Sequence, residues 1–353
     1  MKTLALTPWP IYPAMSGGQE RCWNLLTRAG EITTFALDWQ GNTGTQQFGD
    51  MQYRVISADS KAQEQASKLM DSGIKTLDPI PTLTRNNLTT LRREIDKFDP
   101  DLIILEHPWL LEFTDGRPYI YDSHNCETVS TGTQRPHSLD MDLVANIERR
   151  AVQQAEAMTY TSQRDLKDMQ QLFPFTTPTY LVPNGVDIPK ERATGEELNL
   201  VFIGSLYGPN VQAAQMLISL AQTLKQYKIR IIGQVCSVLE TTADNVELLG
   251  QVTDKQLDYY LKTSFAFVNL TNVGSGTHLK VGRALAYGLP VITTPIGKRG
   301  YVTPLETIPA HLPDMLSAVR KNWQHFSDLA YEEAQTITWD KVAINFREAI
   351  NNA

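Results

Sequence analysis

Tyr180-Leu181-Val182-Pro183-Asn184-Gly185-Val186-Asp187 closes one series of short apolar strand candidates, and Leu198-Asn199-Leu200-Val201-Phe202-Ile203-Gly204 opens another. Between them, Pro189-Lys190-Glu191-Arg192-Ala193-Thr194-Gly195-Glu196-Glu197 has the polar, charged composition of a linker. The expected division is a first domain over 1–187, a linker over 188–197, a second domain over 198–337 and a terminal helix over 338–353. Before the break, strands are expected at Leu4–Thr7, Ile32–Leu37, Tyr53–Ile56, Leu102–Glu106, Tyr119–Asp122 and Met158–Thr161. Helical stretches lie between them at Gln19–Arg28, Lys61–Asp71, Leu83–Phe98 and Asp142–Ala157. After the break come Ile229–Ile232, Val246–Leu249, Phe265–Leu270 and Val291–Thr294. Strands alternating with amphipathic helices describe parallel-sheet α/β domains. The tail from Thr338-Trp339-Asp340 reads as a last helix offering Val342, Ile344, Phe346 and Ile350 for burial.

The remaining composition narrows the class. A chain of 353 residues, 42% hydrophobic and 20% charged, is long for one core and ordinary for two. A net charge of −7 argues against clinging to nucleic acid through bulk charge. Cys22, Cys126 and Cys236 are scattered and odd in number, so neither a disulfide framework nor a zinc spacing is present. That usage fits a reducing compartment. No apolar run approaches the roughly 18 residues that span a bilayer. The N-terminus reads as a first strand rather than a signal peptide, so the sequons at Asn87 and Asn269 carry no weight and a cytoplasmic location is expected.

Ligands of open α/β sheets bind beyond the carboxyl ends of the strands, and several turns fall there. Ser16-Gly17-Gly18 follows the first strand and precedes a helix; glycine allows close backbone approach and a helix start offers free N–H groups. A plain strand-to-helix turn reads the same way. Gly274-Ser275-Gly276-Thr277-His278-Leu279-Lys280 can cradle a diphosphate, with the Thr277 hydroxyl and the Lys280 or Arg283 charge in support. Asp122-Ser123-His124-Asn125 places a histidine at a strand end, as a base, a donor or merely a satisfied buried residue. Trp9, Tyr12, Trp109 and the Glu106-His107 pair could line a sugar site or belong to core and rim. Asp140-Met141-Asp142 has a metal-binding form, yet it begins a helix, where Asp is expected as a cap and dipole partner. No other cluster suggests a metal.

Taken in order, the segments resemble glycosyltransferase family 4. They are Ser16-Gly17-Gly18 with Arg21; Asp122-Ser123-His124-Asn125; Thr161-Ser162 with Asp165; and Val182 to Asp187. The second half supplies Phe202-Ile203-Gly204-Ser205 with Pro209-Asn210; Gly250-Gln251-Val252; Gly276 to Lys280; Ala286-Tyr287-Gly288-Leu289-Pro290; and Thr338-Trp339-Asp340. The resemblance implies the GT-B fold: two Rossmann-like domains facing each other across a cleft, with the C-terminal helix crossing back to the N-terminal domain. It implies metal-independent, retaining transfer, with the acceptor on the first domain and the nucleotide sugar on the second. His124 matches a histidine near the transferred sugar, and Gly17 and Gly18 a loop beside the donor phosphates. Gly274, Ser275, Gly276, Thr277, His278, Leu279 and Lys280 match the loop and helix start under the diphosphate. Gly233, Gln251 and Val252 fall near the base, and Gly204, Ser205 and Asn210 at the second-domain glycine turn.

Two departures stand out. Where many members carry a pair of glutamates, this chain has Ser275 and Arg283, and a guanidinium cannot accept ribose hydroxyl protons. Ser205 and Asn210 stand near the places of the usual Arg and Lys, which leaves phosphate charge to Lys280, Arg283, Arg299 or backbone amides. The expected activity is transfer from a nucleotide sugar to a glycan, lipid-linked or small-molecule hydroxyl. A binding relative without catalysis, and an enzyme glycosylating modified DNA bases, are the other readings.

Overall fold

The computed structural model describes residues 1–72, 79–134, 139–274 and 276–353. They form two compact units, Met1–Pro183 with Trp339–Ala353, and Asn184–Thr338.

The first unit is built on strands β1 (Thr3–Thr7), β2 (Ile32–Asp38), β3 (Gly44–Phe48), β4 (Met51–Ser57), β5 (Leu102–Glu106), β6 (Tyr119–Ser123), β7 (Ala157–Tyr160) and β8 (Thr179–Leu181). Their order in the sheet is β3-β4-β2-β1-β5-β6-β7-β8, and only the β3–β4 pair is antiparallel. Strands β1, β2, β5, β6 and β7 are buried along their whole length, as near-continuous apolar runs covered on both faces must be. Strand β3 was not expected, because Gly44-Thr45-Gln46-Gln47-Phe48 has no apolar run. It is an exposed edge strand held by a two-residue turn at Gly49-Asp50, with Gly49 at φ 58°.

Three helices matter to the site in this unit, α1 (Gly17–Leu26), α2 (Glu127–Gln134) and α3 (Leu139–Gln154), and one in the second unit, α4 (Leu279–Ala286). Helix α3 opens at Leu139, ahead of the expected start at Asp142, so Asp142 is in its first turn rather than at its cap. A carboxylate there still favours the helix dipole. The side chain of Asp140 lies outside the described residues.

The second unit carries β9 (Asn199–Ile203), β10 (Lys228–Ile232), β11 (Val246–Gly250), β12 (Ala266–Asn269) and β13 (Val291–Thr293), all parallel in the order β11-β10-β9-β12-β13. The division between units falls at Pro183/Asn184, four residues before the expected boundary at 187. Val182 still donates its N–H to Tyr160 O of the first unit at 2.9 Å, while Val186 donates to Ile337 O of the second at 3.0 Å. The expected linker over 188–197 is packed into the second unit. Ala193 N–H bonds Tyr287 O at 2.7 Å, Thr194 N–H bonds Lys262 O at 2.9 Å, and Arg192 pairs with Asp328 at 2.7 Å.

The chain then returns. Helix α5 (Trp339–Asn351) packs on α1, β7 and β8 of the first unit, burying Trp339, Val342, Ala343, Phe346, Ala349 and Ile350. Arg347 donates to Arg28 O at 2.8 Å, and Asn345 to Leu181 O at 3.0 Å. Ile344, expected to be buried, is 55% exposed. It lies two residues from both Val342 and Phe346, on the opposite side of a 3.6-residue helix.

Phe346→Ala is therefore expected to cost about 3–5 kcal/mol through the cavity it leaves, lowering the first unit's unfolding midpoint by roughly 6–20 °C. Ile344→Ala should change stability by no more than about 0.5 kcal/mol. Scanning calorimetry of the two variants checks this, and equal shifts would refute the docking of α5.

Candidate functional site

In the first unit the carboxyl ends of β5 and β6 meet the start of α1. Ser16 caps α1 by accepting from Gln19 N–H, and the helix brings Arg21 and Cys22 inward. Arg21 grips Asp122 with two nitrogens, Nη2 to Oδ1 at 2.6 Å and Nε to Oδ2 at 3.2 Å, and donates from Nη1 to Val182 O at 2.8 Å. His124 follows β6 directly. Its Nε2 lies 2.8 Å from Glu106 Oε2 and 3.4 Å from Asp122 Oδ2. Burial opposes charge on all these groups. For Asp122 the Arg21 and His124 charges outweigh it and hold the carboxyl well below the usual range. For His124, burial is outweighed by hydrogen bonds to Asp122 and Glu106, which raise the ring to about 8. Glu106 is pushed up by burial and by the Asp122 charge. At neutral pH His124 is an imidazolium donating from Nε2.

His107, just after β5, packs against His124 with ring centroids 3.9 Å apart and the ring planes tilted by 47°. Its Nδ1 is 2.8 Å from Glu127 Oε1. Burial and the His124 charge drive it the other way, down to about 4, so it is neutral. A carboxylate on Nδ1 selects the Nδ1–H tautomer and leaves Nε2 as an acceptor. His107 has φ 66° and ψ 158°, a region almost reserved for glycine, at a cost of about 1–3 kcal/mol. Three buried atoms of this cluster have no hydrogen-bond partner among the described residues: His124 Nδ1, His107 Nε2 and Glu106 Oε1. A Cβ on Gly18 would sit 3.6 Å from His124 Nδ1 and 3.9 Å from both His107 Nε2 and the Trp9 ring. Gly18 thus faces the histidine pair, whereas Gly17 is exposed. Trp109 is core, packed with Val144 and Ile147, and Tyr12 stacks on Trp23 at 4.6 Å.

Cys22 Sγ, Glu106 and His124 Nε2 have metal-ligand spacing. The thiol donates to Glu106 Oε2 at 3.2 Å, and burial together with the Glu106 charge pushes it well above its usual range. Among the described residues these three side chains hydrogen-bond one another. Cys22 and Glu127 were missed in the sequence. Only the sheet order brings residues 22, 106 and 124 together.

In the second unit the glycines mark close approach. A Cβ on Gly233, at φ 107°, would meet Gly204 O at 2.3 Å. Beyond β10 and β11 lies a cavity of about 550 Å³ whose lining includes Leu206, Gly233, Gln234, Leu248, Gly250 and Gln251. Val252, expected beside Gln251, does not line it. Lys280, in the first turn of α4, donates from Nζ to Asn210 Oδ1 at 2.7 Å, and Asn210 Nδ2 donates to Ser205 Oγ at 3.1 Å. The ammonium lies 4.3 Å from the Phe202 ring centroid. Enclosure without a compensating acid pushes Lys280 down to about 7.

The loop before α4 has Gly274 at φ 127° and Gly276 at φ 68°, conformations suited to glycine. Ser275 lies outside the described residues. Thr277 Oγ1 accepts from Asn184 Nδ2 at 2.5 Å, which ties the Pro183-Asn184-Gly185 stretch to this loop. His278 Nδ1 is 3.1 Å from Asn269 Nδ2, and burial with the Lys280 and Arg299 charges lowers it to about 3. It is a neutral acceptor that pins the loop. Leu279 begins α4, and Arg283 is exposed on its second turn.

The model described as "Glycosyltransferase Family 4" matches residues 52–190, and that described as "Glycosyl transferases group 1" matches residues 197–318. No curated protein matches the chain in sequence. Among solved structures, sucrose-phosphate synthase from Thermosynechococcus elongatus aligns with TM-score 0.77 at 12% identity, over 99% of this chain and 98% of that one. Anabaena Alr3699/HepE in complex with UDP-glucose aligns with TM-score 0.68 at 14% identity, over the whole of both chains. The lipopolysaccharide outer core galactosyltransferase WaaB aligns with TM-score 0.65 at 14% identity, over 99% of each. The fold is GT-B, and with glycosyltransferase family models matching both units the chain is a nucleotide-sugar glycosyltransferase.

Proposed function

We propose that the enzyme transfers a hexosyl group from a uridine diphosphate sugar to a carbohydrate hydroxyl in the cytoplasm, with retention and without a metal ion. The observation that carries the donor half is Lys280. A cation enclosed enough to be held near 7, making no ion pair among the described residues, sits at a helix start beside a glycine-rich turn. Such a group gains its proton and its partner together when a diphosphate arrives. The second unit's cavity has the volume of a small-ligand site, and Gly233 and Gln251 line it. Uridine is chosen because the HepE structure holds UDP-glucose.

Transfer needs little covalent machinery beyond charge stabilisation on the departing diphosphate. Lys280 and the N–H groups opening α4 supply it in place of a metal. His124 offers a charged Nδ1–H donor to the reacting sugar, fixed in place by Glu106 and Asp122. The exposed Arg283 would be a second phosphate contact.

Lys280→Met is expected to weaken UDP binding by about 10- to 150-fold, the value of a charge-assisted hydrogen bond, as read by calorimetric titration. His124→Ala should reduce turnover by at least ~10²-fold in a folded protein. Because the folded-state value is raised, the imidazolium and the stability it brings are complete below about 6.5 and lost as pH rises through about 8. The groups facing it are Glu106, Asp122, Arg21, Cys22 and His107. Turnover at saturating donor should fall above pH about 8, a limb absent in His124→Gln; saturating donor keeps Lys280 charged. Activity should survive EDTA, and restoration by a divalent ion alone would overturn the metal-free reading.

A further inference from the structure

The paired histidines present opposite hydrogen-bonding characters toward one place. His124 donates from Nε2 to Glu106, so its Nδ1 also bears hydrogen in the charged ring. His107 gives its Nδ1–H to Glu127, so its Nε2 carries a lone pair. Both atoms are buried without a partner among the described residues, in side chains more than nine-tenths buried, and both face Gly18. The strained backbone of His107 is retained where glycine would relieve it, which indicates that the ring itself is needed there. An isolated donor could serve a phosphate; a donor beside an acceptor cannot, because the lone pair would face an anion.

We propose that His107 and His124 together read one sugar hydroxyl, which accepts from His124 Nδ1–H and donates to His107 Nε2. The pair rests on the transferase reading for its ligand class, and the hydroxyl belongs either to the donor sugar or to the acceptor. Gly18 matters because a Cβ there would stand in van der Waals contact with both nitrogens, in the space a hydroxyl would take.

The test pairs deoxy sugars with His107→Asn. The asparagine amide can keep the bond to Glu127 and tolerates a positive φ, but has nothing at the Nε2 position. UDP-glucose and its 2-, 3-, 4- and 6-deoxy analogues are compared for hydrolysis. The corresponding free deoxyglucoses are compared as acceptors. Wild type is expected to lose at least about 10-fold in kcat/KM at one position in one series, the worth of a buried hydrogen bond. His107→Asn should lose a similar factor on the parent sugar and under about 3-fold more on that deoxy sugar. The series that shows the coupling identifies the source of the hydroxyl. Unchanged discrimination, or a uniform loss on every analogue in a folded variant, overturns the proposal.

Nitrogen NMR of histidine-labelled wild type gives a second reading. At pH 7, His107 should be neutral with hydrogen on Nδ1, and its Nε2 resonance should move on adding UDP-glucose or free glucose. An Nε2–H tautomer, an imidazolium, or no shift with either sugar overturns the pair. Failure of wild type to bind or hydrolyse UDP-glucose, with the Nε2 shift on free glucose intact, would instead fault the choice of donor.

Discussion

The ion pair between Arg21 and Asp122 is the interaction on which the first unit's site depends. Both side chains are essentially out of solvent, at 1% and 0% exposure. The guanidinium joins the first helix to the end of β6 and to the carbonyls of Val182 and Pro183, where the chain leaves the unit. The carboxylate also accepts from Thr159 on β7. Such a pair is weak evidence for net stability, since both ions lose hydration, but removing one partner strands a buried charge at a cost of about 3–5 kcal/mol. Its consequence for chemistry is an Asp122 that stays ionised. That charge, with Glu106, keeps a buried imidazole protonated where burial alone would neutralise it.

A second chain of contacts sets the other ring. Glu148 of α3 accepts from the N–H groups of Glu127 and Thr128 at 2.6 and 2.8 Å, capping the start of α2 from a distance in sequence. Burial and the Glu127 charge raise Glu148 to about 7. The cap orients Glu127, whose carboxylate takes the His107 Nδ1–H and the Asn125 amide together. The His124 charge then makes protonation of His107 unfavourable. Two adjacent imidazoles thus hold different charges at neutral pH because one faces two carboxylates and the other faces one plus a cation.

The domain pattern was legible because fully buried parallel strands leave continuous apolar runs, and because glycine turns follow them. Gly18, His124 and Lys280 stood out on those grounds, since each is tied to a strand end or helix start, whereas Gly204 and Gly233 were named only through the family resemblance. Strand β3 was illegible: a polar edge strand is defined by its partner. The reach of α5 was readable in Val342, Phe346 and Ile350 but not the exposure of Ile344, which depends on the helix's rotation against β7 and β8. His107 was visible only as part of a pair at a strand end. Its tautomer depends on Glu127, and the link of Cys22 to Glu106 and His124 depends on β1, β5 and β6 being neighbours. Backbone strain leaves no trace in composition.

The two units handle charge by opposite means. In the first, carboxylates surround a histidine and bind its proton more firmly than water would. In the second, Lys280 is enclosed by Phe202 and the Asn210 amide and holds its proton loosely. A firmly held proton suits a group that must donate a hydrogen bond throughout a reaction without losing it. A loosely held one suits a group that waits for an anion, because the charge is completed by the ligand and weakens when the ligand leaves. Exchanging the two environments would fail on both sides: a histidine enclosed like Lys280 would be neutral, as His278 beside it is. A lysine between Glu106 and Asp122 would be neutralised by them and unavailable to a diphosphate.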